Sequence, residues 1–127
     1  MTYTWDENTQ TLRVSGRGKV VGNYDNRNDL AQYQNQAKKI ILEKGTTEIG
    51  KQAFAQFYNL SEIEFPSTLT KIGEAAFFGC DKLTSATLPT SLKVLDMAAF
   101  ANCSALVNVT IPSQLTTMRD YAFQRCA

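Results

Sequence analysis

Four Ala-Phe pairs recur at one fixed interval along the chain, ending at Phe54, Phe77, Phe100 and Phe123. Around them the other apolar positions keep the same step. Ile49, Ile72, Leu95 and Met118 form one column, and Leu60, Leu83 and Leu106 another. Ile63, Ala86 and Val109 repeat, as do Phe65, Leu88 and Ile111, then Pro66, Pro89 and Pro112, then Leu69, Leu92 and Leu115. A fixed period in the range of roughly 20–50 residues is the signature of a stacked array, in which each unit covers its neighbour's apolar face. That constraint fixes the architecture far more tightly than it fixes a ligand.

The unit separates into parts. Ile63-x-Phe65, Ala86-x-Leu88 and Val109-x-Ile111 alternate apolar and polar, as half-buried strands do. Proline follows each strand's last inward residue, where no ladder donor is required. Ile40 and Leu42 stand one full period before Ile63 and Phe65. Four parallel strands centred on 40–42, 63–65, 86–88 and 109–111 are therefore expected in one sheet, roughly 4.8 Å apart. Behind it should run a ladder of buried phenylalanines. The segment from Gly73 to Gly79 reads as one short helical turn, with Gly73 capping it and Gly79 releasing the chain. The slot of Gly73 holds Gly50, Asp96 and Arg119 in the other units, so it does not require positive φ.

This pattern resembles the BspA-like, treponemal-type class of leucine-rich repeats. Leu83, Ala86, Leu88, Pro89, Leu92, Leu95, Ala99, Phe100 and Cys103 carry the resemblance, with equivalents one period earlier and later. It covers about residues 38–127, and the run from Thr11 to Gly18 is similar to the N-terminal caps of such proteins. The resemblance implies an α/β leucine-rich-repeat solenoid: short parallel strands, short helical turns and a β-hairpin cap, with a cap over 1–37 and a solenoid over 38–127. It also implies a surface-exposed or secreted protein acting in adhesion or protein recognition.

The N-terminal segment supports such a cap. Residues 2–5 and 11–15 read as a hairpin with Tyr3 and Trp5 on one apolar face and Leu12 and Val14 on its partner, joined by Asp6-Glu7-Asn8-Thr9. Asp29 is placed to cap a short helix carrying Leu30, Tyr33 and Ala37. Trp5 and Tyr33 then pack the cap; the sharper reading is a carbohydrate-stacking platform. Two motif matches fail. Gly16-Arg17-Gly18-Lys19 lacks the spacing and the hydroxyl residue of a phosphate loop. Asp25-Asn26-Arg27-Asn28-Asp29 has arginine at a calcium-ligand position, and Gln36 where the bidentate glutamate belongs.

Composition excludes more than it assigns. Thirteen basic and twelve acidic residues leave a net charge of +1, no footprint for nucleic acid or an acidic membrane surface. No apolar run is long enough to span a bilayer, and there is no h-region behind a charged start, so an exported protein is expected to have had its signal removed from this sequence. The absence of histidine removes histidine-based triads, bases and zinc chemistry. Cys80, Cys103 and Cys126 share a column with Phe57, so the slot takes a medium apolar group. Lying on separate rungs, the three lack the paired spacing of a zinc site, and Cys80 and Cys103 are expected to be reduced and buried although one rung apart. No cofactor or metal is implied.

Glu62 and Glu64, at i and i+2 on one strand, form the single carboxylate pair on a defined face. Lys39 lies one rung before Glu62, so a solvated cross-rung ion pair outweighs glycosidase-like catalysis, and the chain reads as no enzyme. The sheet's outward face remains as the candidate recognition surface. One column runs Lys39, Glu62, Ser85, Asn108; the other runs Ile41, Glu64, Thr87, Thr110. Concave solenoid faces bind extended protein partners through such arrays; against that stands simple solubility of a polar sheet. Asn59-Leu60-Ser61, Asn102-Cys103-Ser104 and Asn108-Val109-Thr110 are glycosylation sequons, relevant in an exported eukaryotic protein.

The alternative to a binding module is a structural spacer that self-associates through its C-terminal end. The sequence stops at Cys126-Ala127 inside a repeat, with no polar capping segment. Leu106, Leu115, Met118 and Phe123 are then expected under thin cover, the end being either a truncation scar or an interface, most simply a two-fold contact between copies.

Overall fold

The computed structural model describes residues 1–21 and 30–127; Asp29 as a cap and the run from Asp25 to Asp29 lie outside them. The first strands are β1 (Thr2–Asp6), β2 (Thr11–Ser15), β3 (Gly18–Val20), β4 (Lys39–Leu42) and β5 (Thr46–Ile49). Then follow β6 (Glu62–Glu64), β7 (Lys71–Ile72), β8 (Ser85–Thr87), β9 (Val94–Leu95), β10 (Asn108–Thr110) and β11 (Thr117–Met118).

The period governs the fold as expected. β4 pairs with β6 and β8 with β10, all parallel and in the register set by the repeat: Ile40 beside Ile63, Ala86 beside Val109. Phe54, Phe77 and Phe100 are fully buried, and the four phenylalanine rings stack at 5.4, 5.1 and 5.5 Å between centroids. The hairpin is present too. β1 and β2 are antiparallel with Trp5 opposite Leu12, and β2 then joins β4 in parallel, setting Leu12 beside Ile40 and Val14 beside Leu42. The hairpin covers the first rung by extending its sheet. Trp5 stacks on Tyr33 at 5.1 Å, and both are packed against the core, as cap packing requires. Leu30 and Ala37 are buried beside them around a short 3-10 turn, Ala31–Tyr33.

Three details differ from the expectation. First, the four strands do not hold one continuous ladder: β1-β2-β4-β6 form one sheet and β8-β10 another. The break falls where Ile63 and Phe65 give way to Ala86 and Leu88, with the Phe65 ring edge-on against Phe77 at 5.9 Å. Inward side chains of unequal bulk on neighbouring rungs do not keep both backbones at ladder spacing. Second, a further parallel sheet, β3-β5-β7-β9-β11, closes the other side of the stack. Third, the short helical turns are replaced by turns containing left-handed residues. Positive φ recurs at Gln52, Ala75, Ala98 and Tyr121, and again at Gln56, Gly79, Asn102 and Arg125. Both sets keep the step of the repeat, and Gly79 is the only glycine in either. A left-handed residue with a Cβ costs roughly 1–2 kcal/mol, which backbone hydrogen bonds between rungs offset here. Gln52, Ala75 and Ala98 donate their N–H to Glu74, Met97 and Asp120 at 2.9, 2.9 and 3.0 Å.

The cysteine column behaves as packing. Cys80 and Cys103 are free and buried, and each thiol donates to the carbonyl of Phe54 or Phe77, at 3.3 and 3.1 Å. The thiol contact with Cys103 and burial push Cys80 well above the ordinary cysteine range, so thiolate chemistry is suppressed there.

One core position breaks its own column. Thr46 stands one period before Leu69, which is followed by Leu92 and Leu115, and it is completely buried. Its Oγ1 has no hydrogen-bond partner. A buried unpaired hydroxyl costs about 1–3 kcal/mol, so Thr46→Val, nearly isosteric, should stabilise the fold by about 1 kcal/mol. Thermal unfolding followed by circular dichroism should then shift up by about 4 °C. An unchanged or lower midpoint would show that the hydroxyl is satisfied after all.

Candidate binding face

Alternation along each first-sheet strand puts one residue set into the core and the other outward. The predicted outward residues fall as expected: Glu62, Glu64, Ser85, Thr87, Asn108 and Thr110 are exposed, and Lys39 and Ile41 are half-buried. Register continues both columns through the hairpin, which sequence reasoning missed. Lys39 sits beside Thr11 and then Asp6, while Ile41 sits beside Arg13 and then Thr4. The signal was present in Thr11-Leu12-Arg13-Val14, which alternates like Lys39-Ile40-Ile41-Leu42. That run lies farther upstream than one period, however, and so falls outside the repeat.

Charge on this face concentrates at the hairpin end. Lys39 Nζ lies 3.0 Å from Glu64 and 3.7 Å from Glu62, so one ammonium bridges both carboxylates of the pair. The hydrogen bond that the Lys39 ammonium donates to the Glu64 carboxylate is the largest cause holding it above the ordinary lysine value. Arg13 pairs with Glu43 at 2.9 Å. Exposed pairs of this kind add little stability; their consequence is a fixed charge pattern. A recess of about 590 Å³ opens there, lined by Thr4, Asp6, Thr9, Thr11, Arg13, Lys38, Lys39, Ile41, Ser61 and Glu62. Toward β10 the face carries only hydroxyl and amide groups. Glu62, on the rim of that recess, and Glu64 are both exposed and share the single Lys39 ammonium as a cross-rung ion pair. Among the described residues, no three His, Cys, Asp or Glu groups converge as a metal site, and no helix is long and apolar enough to cross a membrane.

The C-terminal end differs from the middle. Leu115 and Phe123 are half-buried and Met118 is exposed, whereas Leu106 is fully covered, contrary to expectation, because it lies on the inner side of its rung. Ile111 and Tyr121 are exposed beside them.

A family model described as the BspA type leucine rich repeat region matches residues 28–127 in six copies. Two solved structures share the fold. One is a leucine-rich repeat protein from Eubacterium ventriosum, 19% identical with a TM-score of 0.66, the match covering 93% of this chain and 37% of that one. The other is a leucine-rich cell surface protein from Faecalibacterium prausnitzii, also 19% identical, with a TM-score of 0.54 over 98% of this chain and 44% of that one. The chain thus spans less than half the length of either. No curated protein matches it.

Proposed function

The chain belongs to the BspA-type leucine-rich repeat family, and on that premise we propose that it is a non-catalytic protein-binding module of a surface-exposed or secreted protein. Its role is adhesion or recognition of a host protein through the outward face of the first sheet. The family's repeat is a general protein-interaction module, and one of the structural relatives is a cell surface protein. The observation that carries the reading is the two-column outward face. It extends the array Lys39, Glu62, Glu64, Ser85, Thr87, Asn108, Thr110 through the hairpin to Arg13 and Asp6. An extended partner laid across the strands meets charge at one end and hydroxyls and amides at the other, which sets its direction.

The test is direct binding to a panel of extracellular-matrix and cell-surface proteins. A ligand found there should bind at least about tenfold more weakly to the Glu62→Lys, Glu64→Lys double variant, and similarly to Ser85→Trp or Asn108→Trp, which block the flat end. Full binding by all three variants would place recognition on another surface.

A further inference from the structure

The recess at the hairpin end of the first sheet carries more hydrogen-bond donors than its own residues use. Its depth comes from two short side chains on a diagonal of the face: register sets Thr11 beside Lys39 and Ile41 beside Arg13. The longer Arg13 and Lys39 form its sides, over a floor of one hydroxyl and one half-buried isoleucine. The acids on the rim are already engaged. Asp6 Oδ1 accepts from the Asn8 and Thr9 amides at 2.9 and 3.3 Å, which holds the hairpin turn, and Glu62 lies 3.7 Å from Lys39. The donors are not. Lys38 lines the recess, is exposed and has no acid partner among the described residues. Arg13 gives one terminal nitrogen to Glu43, and its other terminal nitrogen has no acceptor among the described residues. Thr9 donates to the Thr11 hydroxyl at 2.9 Å, which leaves the Thr11 proton for a ligand. Donors of this kind around an apolar floor suit a carboxylate on a short methylene stem, the shape of an aspartate or glutamate side chain.

One rung farther the balance reverses. Glu62 and Glu64 share the single Lys39 ammonium, at 3.7 and 3.0 Å, so two carboxylates against one ammonium leave the pair with a net negative charge. The recess floor lies between β2 and β4, and β6 follows β4 in the sheet. That is about one and a half rungs, or roughly 7 Å at a strand spacing of about 4.8 Å. Alternate side chains of an extended chain are also roughly 7 Å apart. An extended segment crossing the strands therefore sets one side chain into the recess and the next but one against Glu62 and Glu64.

We infer that the recess receives the carboxylate side chain of an extended segment of a protein partner, and that Glu62 and Glu64 receive a basic side chain two residues away on that segment. The assignment rests on the outward face being a protein-binding surface, and it adds the partner's chemistry: an acid held by Lys38, Arg13 and Thr11, with a base at alternate spacing beside it.

The probe is a terminally blocked peptide, Gly-Lys-Ser-Glu-Ser-Lys-Gly, which offers the spacing in both chain directions, titrated into the isotopically labelled full chain and followed by NMR. The amide resonances of Thr11, Lys39 and Glu62 should shift and saturate in the range of about 1–10 mM. Replacing the peptide's glutamate by glutamine should weaken binding about fivefold, and so should Lys38→Gln, a change at an exposed position. Lys82→Gln removes the same charge from an exposed lysine outside the recess and should leave binding within about twofold. Glu64→Gln should weaken the peptide but not a version with both lysines replaced by glutamine. The absence of saturable shifts at these amides, or equal losses from Lys38→Gln and Lys82→Gln, overturns the inference. So does sodium glucuronate producing the same saturating shifts at the same concentration, since a free sugar acid would then be a sufficient occupant. The peptide reports on the recess without any natural partner. Its failure therefore leaves the Ser85→Trp and Asn108→Trp test of the outward face intact, and failure of that test leaves the peptide result standing.

Discussion

Phe77→Ala should cost about 4–5 kcal/mol, the upper part of the range for truncating a buried aromatic. The ring is fully buried and held on three sides. Phe54 stacks on one face at 5.4 Å, Phe100 on the other at 5.1 Å, and Phe65 meets its edge at 5.9 Å. Removing it leaves a cavity between two parallel rings whose own backbones are fixed by rung-to-rung hydrogen bonds, so collapse into the space is restricted. Each lost ring contact adds about 0.5–1.5 kcal/mol to the area term. For a domain whose total stability is about 5–15 kcal/mol, this is enough to bring the folded state close to its limit. Urea unfolding should show a large fall in midpoint. Because a solenoid is a chain of nearest-neighbour interfaces, the slope should fall as well if the rungs beyond Phe77 melt separately. Phe123→Ala is the internal comparison: its ring touches Phe100 on one face only, and its cost should be about 1–2 kcal/mol. Equal costs at the two positions would mean that the ring stack is not what couples the rungs.

How much of this was legible in the sequence depended on how many residues each element commits to the core. The first-sheet strands place alternating apolar and polar residues over three or more positions, and the Ala-Phe pair is large and invariant in spacing. Columns, register and buried rings could all be read directly. The second sheet was not, because Lys71–Ile72, Val94–Leu95 and Thr117–Met118 each contribute two residues and a single inward side chain. No alternation can show in a pair. The left-handed turns were hidden for a different reason. Glutamine, alanine, tyrosine, asparagine and arginine occupy seven of the eight positions, and none of these at a given site advertises positive φ as glycine does. The conformation is imposed by hydrogen bonds from the next rung, a tertiary effect overriding local preference. For the candidate face, the period identified the outward columns over the repeats but not their continuation into the hairpin. Strand pairing there, Thr11 with Lys39, follows an offset longer than the period, which no repeat announces.

Gly73→Ala should cost about 2–3 kcal/mol, more than a glycine at a helix start would lead one to expect. Its φ is not in the left-handed region, which agrees with a slot that also holds aspartate and arginine. The constraint is space. A Cβ on Gly73 would lie 2.6 Å from the Ile49 carbonyl oxygen, 3.0 Å from the Gly50 carbonyl carbon and 3.1 Å from the Lys51 nitrogen, all of them backbone atoms of the preceding rung. No side chain can rotate away, so the rungs must separate, and overpacking of this kind costs about 1–3 kcal/mol. The amide of Gly73 reaches Ile49 at 2.8 Å, whereas those of Asp96 and Arg119 reach Ile72 and Leu95 at 3.0 and 2.9 Å. Where the slot carries a side chain, Asp96 uses its own to accept from the Met97 N–H at 2.8 Å and to pair with Lys71 and Arg119. Asp96→Gly should accordingly lose those contacts and gain nothing in fit, costing about 1 kcal/mol. Chemical denaturation of both variants separates the explanations. If the slot merely caps a helical turn, Gly73→Ala should cost no more than about 1 kcal/mol, since that is the size of a cap effect. A loss two or three times larger at Gly73, with a smaller one at Asp96, is the signature of backbone packed directly on backbone between the first and second repeats.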